Sequence, residues 1–377
     1  MKKKNFIYIS ALCALMSFSF VGCSDSDPIP EPSTPEKPST PETPETPEEP
    51  GEDNSVFALY FLNSGKMGNN NSSLYMYDVE KDELVPDYFL AQNGRGLGDT
   101  AQDMIVYGDK MYIAVYGEST IEVTDLHAKS IKQVKTEGQP RALIADGGKV
   151  YASYYNGQVA RLDTASLEVE ATVKVGRNPE QMAVANKKLY VANSGGMDYA
   201  TEVGYDKTVS VVDLASFTET KKLDVVLNPT LVRSDDKGNV YVVSMGNYAE
   251  VLNTLQYIDS RTDEVKVLEA CPNATEMDYL DGKLYTYYSQ YDANWNSVTT
   301  FTSYDTNTGA VESWIKDGTT IAKPYKLNVA GSNVYVSESD YKNNGDIYGF
   351  GTDGKLVKKF EAGLNPMKVV LAQKDNI

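Results

Sequence analysis

Cysteine, histidine and tryptophan are scarce: the 377-residue chain has three, one and two of them. Cys13 and Cys23 sit near the start, which leaves Cys271 alone in the rest of the chain. A disulfide framework and a thiolate zinc site are therefore excluded, and so is a metal site of several histidines. With His127 as the only imidazole, chemistry built on histidine bases is excluded too. Positive charge is also short. The net charge is −18: Lys2, Lys3 and Lys4 contribute +3, segment 24–54 about −9, and 55–377 about −12. An acidic domain suits neither nucleic acid nor an anionic lipid surface. Finally, no ten-residue stretch has helical apolar periodicity with caps.

The first 22 residues read as an export signal. Three lysines precede Phe6 to Val21, which is mostly apolar, uncharged and short for a membrane span. It ends in Phe20-Val21-Gly22-Cys23, a lipobox-like sequence in which Cys23 is the lipidation site. Each buried acyl CH₂ contributes ~0.8 kcal/mol, so several chains anchor a protein almost permanently. Residues 23–54 then form an acidic, proline-rich, disordered tether. From Pro32 to Pro50 proline recurs at every third position, the period of the polyproline II helix. At ~3.1 Å per residue, such a tether reaches roughly 80 Å.

Residues 55–377 repeat one pattern of short strands. Tyr60, Tyr112, Tyr151, Tyr190, Tyr241, Tyr285 and Tyr335 recur at intervals of 39 to 52 residues. Turn pairs such as Gly148-Lys149, Gly238-Asn239 and Ser332-Asn333 precede the tyrosines, and an alternating run ending in aspartate comes after each. The aspartates are Asp78, Asp125, Asp163, Asp213, Asp259 and Asp305, with Gly351 in the seventh place. A proline closes most units. Periods of this length, made only of strands, indicate propeller blades, whereas a solenoid needs shorter and more regular repeats. The expected fold is all-β, a seven-bladed β-propeller. Each blade runs from an innermost strand through the Tyr strand and the Asp strand to an outer strand. The first unit starts at its Tyr strand, and Met367 to Leu371 reads as an innermost strand, so the C-terminal strand is expected to complete blade one. The repeated Tyr and Asp are read as structural: Tyr packs between blades, and Asp caps a turn.

Five stretches carry a family resemblance. They are Leu62-Asn63-Ser64-Gly65-Lys66-Met67-Gly68 with Ser73-Leu74-Tyr75-Met76-Tyr77-Asp78, then Asn93-Gly94-Arg95-Gly96-Leu97-Gly98-Asp99, then the strands around Met111-Tyr112-Ile113 and Ile121-Glu122-Val123. Over essentially all of 55–373 the chain resembles the YncE-like, YVTN-type propeller lipoproteins of gut Bacteroidetes-type bacteria. Ser24-Asp25-Ser26-Asp27 is similar to the signal that sends such lipoproteins to the outer face of the outer membrane. Members of the BtuG type capture cobalamin and pass it to a transporter. The resemblance implies a cell-surface lipoprotein of the outer membrane that is not an enzyme and requires no cofactor. It would bind cobalamin (vitamin B12) or a related corrinoid and deliver it to a BtuB-type TonB-dependent transporter.

The residues themselves point to one face, the upper one, where the loops after the Tyr strands and the inter-blade loops lie. Upper loops rich in Asn, Gly, Tyr and Met supply Asn193, Met197, Tyr199, Met245, Tyr248, Tyr291, Trp295 and Tyr341 as candidate ligand contacts. Arg95, Arg141, Gln181, Glu276, Lys326 and Lys368 are expected to ring the mouth of the axial funnel. Aromatic faces give apolar area with little entropy to lose, and Asn and Ser answer amides. Such a surface suits cobalamin, with Arg95 and Arg141 facing an anionic group, and it equally suits a glycan. A metal-dependent lyase or lactonase would need a ligand set such as Glu180, Asn193 and Glu276.

Overall fold

The computed structural model describes residues 56–291 and 297–374. Cys23, the tether and Trp295 lie outside the described residues, and of Tyr291 only the backbone is described. Seven four-stranded antiparallel sheets are arranged as the seven-bladed propeller expected from the repeat. Each blade runs outward in chain order, except blade one. There Pro366–Gln373 is innermost and pairs with Val56–Asn63, with Leu59 opposite Leu371 and Phe61 opposite Val369. The ring is therefore closed by the two ends of the domain, as expected.

The burial pattern explains the sequence pattern. A Tyr strand packs on a neighbouring blade through both faces, so Val56–Asn63 and Lys110–Val115 are buried almost throughout. Tyr60 and Leu62 face blade two, while Leu59 and Phe61 face blade seven. Outer strands have one wet face and alternate, as Val169–Lys174 does. The innermost strands of blades three, four, five, seven and one start at Pro140, Pro179, Pro229, Pro324 and Pro366. The first residue of a strand is the place where a missing N–H costs the ladder least.

The repeated side chains hold the blades together. The Tyr60 hydroxyl donates to the Leu126 carbonyl of blade two at 2.6 Å, and Tyr190 donates to Asp263 of blade five at 2.6 Å. The aspartates close the turns between third and fourth strands: Asp125 accepts from the backbone N–H of Lys129, Asp163 from that of Ser166, and Asp305 from that of Thr308. Trp314 is a core residue between blades six and seven. Its ring meets Tyr285, Phe301 and Phe350 edge-on, and Nε1 donates to the Thr286 carbonyl.

One element is absent from the sequence expectation. The outer strand of blade one, Glu83–Val85, has only three residues, and a helix, Tyr88–Asn93, comes after it. Gly94 ends the helix at φ 64. Phe89 plugs the gap between blades one and two. Six residues are too few to reveal a 3.6-residue period.

Deleting 366–377 strips the inner strand from blade one and exposes its edge. The truncated domain should lose its cooperative thermal transition or aggregate; an unchanged melting curve would contradict ring closure. Asp263 gives a finer test of the packing. Burial pushes its carboxyl upward, but hydrogen bonds from Lys221, Tyr190 and Lys188 outweigh this and hold it below the usual carboxylate range. A carboxyl depressed in the fold stabilises above its unfolded pKa, and that contribution is lost as pH falls through the folded value. Asp263→Asn should cost about 2 kcal/mol at neutral pH, since Lys221 is half exposed, and should flatten the acid limb of a denaturant-derived stability curve.

Candidate functional site: the upper axial funnel

The upper face is built by the ends of the Tyr strands. Three of these strands run out through a glycine with positive φ: Gly65 at 72°, Gly195 at 59° and Gly246 at 63°. A Cβ on Gly195 would lie 2.3 Å from the Asp206 nitrogen, and one on Gly246 1.9 Å from the Val251 oxygen. No side chain fits where these loops leave the sheet. Blade six rises differently, by a hairpin in which Lys283–Tyr291 pairs with Ser297–Asp305 over nine residues. In blades two and three the equivalent connections are tight turns at Tyr116–Ser119 and Tyr154–Gly157. The rim is therefore high on one side and low at blades two and three.

The seven innermost strands converge on a funnel of about 320 Å³. Its walls carry Gln102, Arg141, Glu180, Gln181, Thr230, Glu276, Lys326 and Lys368, and its upper part carries Met245, Tyr248, Tyr325, Tyr341 and Met367. Its cations are already paired. Arg141 donates from Nε and Nη2 to Glu180 at 2.9 and 2.7 Å, donates from Nη1 to Gln102, and lies over the Tyr155 ring. Lys326 meets Glu276 at 2.5 Å. Burial works against the Lys326 ammonium, yet Glu276 outweighs it and raises its pKa. At the narrow waist Arg233 pairs with Asp278 at 2.8 Å, and Lys368 stands 3.7 Å from Asp103. The funnel is thus charge-balanced inside an acidic domain.

Above it, the loop 194–207 is fixed in advance. Arg177 donates to Asp198 and to the Gly204 carbonyl, and Asn178 accepts from the Met197 N–H at 3.1 Å. Tyr199 stacks on Tyr205, which meets Tyr248 edge-on, both at 6.4 Å. Across the funnel Tyr341 meets Tyr325 edge-on at 5.4 Å. Burial raises the pKa of Tyr325, so it is a neutral phenol.

Of the residues expected here, Arg141, Gln181, Met245, Tyr248, Lys326 and Tyr341 line the funnel, with Glu276 and Lys368. Met197 and Tyr199 are exposed on the adjoining loop. Two placements need correction. Arg95 is not at the axis; it lies over Phe89 near the periphery and donates to Glu122 and Ser130. The helix that ends at Gly94 carries it outward, and Gln102 takes the inter-blade place. Asn193 is fully buried: it accepts from the Gly176 N–H and donates to Thr208 and Ser210. Asn63 repeats the arrangement with the Gly363 N–H, so the shared Asn-Ser-Gly at 63–65 and 193–195 is a structural clasp. Sequence reasoning missed Gln102, Thr230, Tyr325 and Met367. The position just after each inter-blade proline would have found the last three.

Comparison with known proteins adds the family. No curated protein matches the chain. Among solved structures it is similar in fold to the hydrazine synthase of Kuenenia stuttgartiensis, at 17% identity and a TM-score of 0.58, over 73% of this chain and 90% of that one. It is also similar to two proteins provisionally named 6-phosphogluconolactonases. The one from Bacteroides fragilis is 12% identical with a TM-score of 0.57, over 86% of this chain and all of that one. The one from Bacteroides uniformis is 11% identical with a TM-score of 0.58, over 84% of this chain and all of that one. At such identities the likeness shows the fold alone. Residues 58–335 match the family described as Domain of unknown function (DUF5074), and with most of its length matched the chain belongs to that family.

Proposed function

We propose that this propeller is a binding protein rather than an enzyme, and that its upper funnel and rim take a bulky, amide-rich ligand of the corrinoid class. The observation that carries this reading is a charge-balanced funnel beneath a rim of exposed Tyr and Met. Met197, Tyr199, Tyr248 and Tyr341 are each between 64% and 68% exposed. Large side chains of this kind, gathered over a cavity, supply binding energy. Tyr248 and Tyr341 also hold left-handed backbone at φ 57 and 62. That conformation costs a bulky residue about 1–2 kcal/mol, a strain that fits rings held in place for recognition. Arg141 and Lys326 are engaged by Glu180 and Glu276, so neutral amides and apolar edges are the better match for the upper part of the funnel. A corrinoid is much larger than the funnel and would rest across the rim with one arm inside.

An enzymatic reading finds less support. Glu180 and Glu276 are each engaged by a cation, and Asn193 is turned into the sheet. Among the described residues no three His, Cys, Asp or Glu side chains are gathered to hold a metal. With lipid on Cys23, the protein would work at the outer-membrane surface and hand its ligand to a TonB-dependent transporter. A glycan would also stack on tyrosines, and it is the alternative the test separates.

The purified 55–377 domain should retain cyanocobalamin through a desalting column. In calorimetric titration, Tyr248→Ala and Tyr341→Ala should each weaken binding by about 2 kcal/mol, roughly thirtyfold, with little change in melting temperature. Arg95→Ala should leave affinity unchanged, and raising the salt should alter it little. No retention of cyanocobalamin, with capture on a polysaccharide gel, would replace the corrinoid by a glycan. A second prediction concerns the buried pair. Arg141→Met and Glu180→Gln should each cost about 3 kcal/mol of stability, and the double variant clearly less than their sum. Additive losses would show that the two charges are not coupled.

A further inference from the structure

Below the waist the axis opens into a second cavity of about 360 Å³, on the face opposite the rim. This is within the range of small-molecule sites. Its walls are apolar, with Ile105, Ile144, Met182 and Val232, and Tyr107 and Tyr279 stand at its mouth. Its roof is polar and carries two cations with donors to spare. The Lys368 ammonium donates no hydrogen bond among the described residues and has only the 3.7 Å ion pair with Asp103. Arg233 uses Nε on Asp278 and Nη1 on Gln181 and the Val232 carbonyl, which leaves Nη2 without a partner among the described residues.

The two aspartates are occupied from the other side. Asp103 accepts the backbone N–H groups of Met104 and Leu143, both at 2.9 Å. Asp278 accepts those of Tyr279 at 3.0 Å and Val329 at 2.9 Å. Each aspartate thereby staples its own innermost strand to that of the next blade. Backbone amides stabilise these carboxylates, so each cation keeps N–H groups to spare beside its aspartate. A partly desolvated ammonium and guanidinium with free N–H groups form their best hydrogen bonds with an anionic oxygen.

We propose that this lower cavity binds a small monocarboxylate with an apolar alkyl or aryl body, its carboxylate held at the waist by Lys368 and Arg233. The site meets the upper funnel only at the shared waist, where Lys368 and Arg233 border both cavities, and it does not rest on the corrinoid reading. Octanoate is the probe, titrated calorimetrically into the 55–377 domain, with octan-1-ol as the uncharged control. Octanoate should bind at least about tenfold more tightly than octan-1-ol. Lys368→Met should weaken it about tenfold or more, a loss of about 1.4 kcal/mol, and Lys368→Arg should keep most of the affinity. Ile144→Trp, which fills the cavity, should abolish binding, with Met182→Trp serving the same purpose if the first variant misfolds. Tyr248→Ala should change nothing. Absence of octanoate binding, binding that survives both filling variants, or loss of binding in Tyr248→Ala would each overturn the proposal.

Discussion

A four-stranded sheet with two apolar faces is stable only when both faces are covered, and among the described residues that cover comes chiefly from the neighbouring blades. That constraint makes a ring, and the ring makes the pairing of Pro366–Gln373 with Val56–Asn63 indispensable. Once it forms, Phe61 and Val369 join the cluster shared with blade seven, while Tyr60 and Leu62 join the one shared with blade two. The inner strands are then held by Asp103 and Asp278, which tie adjacent blades through backbone N–H groups. Buried carboxylates would be costly alone; each has both backbone donors and a cation.

Such a frame leaves the upper loops free to carry chemistry without carrying stability. Positive-φ glycines launch them, and internal clamps such as Arg177 to Asp198 and Gly204 fix their shape. Fixing a loop in advance lowers the entropy a ligand must overcome. The same axis is divided at its waist by ion pairs, so one fold presents two unlike cavities: an aromatic-rimmed one above and an apolar-walled one of similar volume below.

The fold was legible in the sequence because its period is enforced by packing. Each Tyr strand is buried on both sides, each turn aspartate satisfies backbone donors, and neither role tolerates much change. The site was legible only in part. Arg141, Lys326 and Lys368 are betrayed by their place beside the inter-blade proline. Arg95 was misplaced because blade two has no proline at that junction and a six-residue helix, invisible to periodicity, shifts the frame. Asn193 looked like a loop residue, although its repeat at Asn63 marked it as structural. Ion pairing was not legible at all. Arg141 with Glu180, and Lys326 with Glu276, bridge neighbouring blades, and no spacing along the chain reports which charges meet.

We propose that the closed propeller binds its ligand at the upper rim. Amide hydrogen exchange of the 55–377 domain with and without cyanocobalamin tests it most directly. The account predicts added protection confined to segments 194–207, 245–253 and 339–345, with the turns of the opposite face unchanged. Protection centred on those opposite turns, or no change anywhere at saturating ligand, would contradict it.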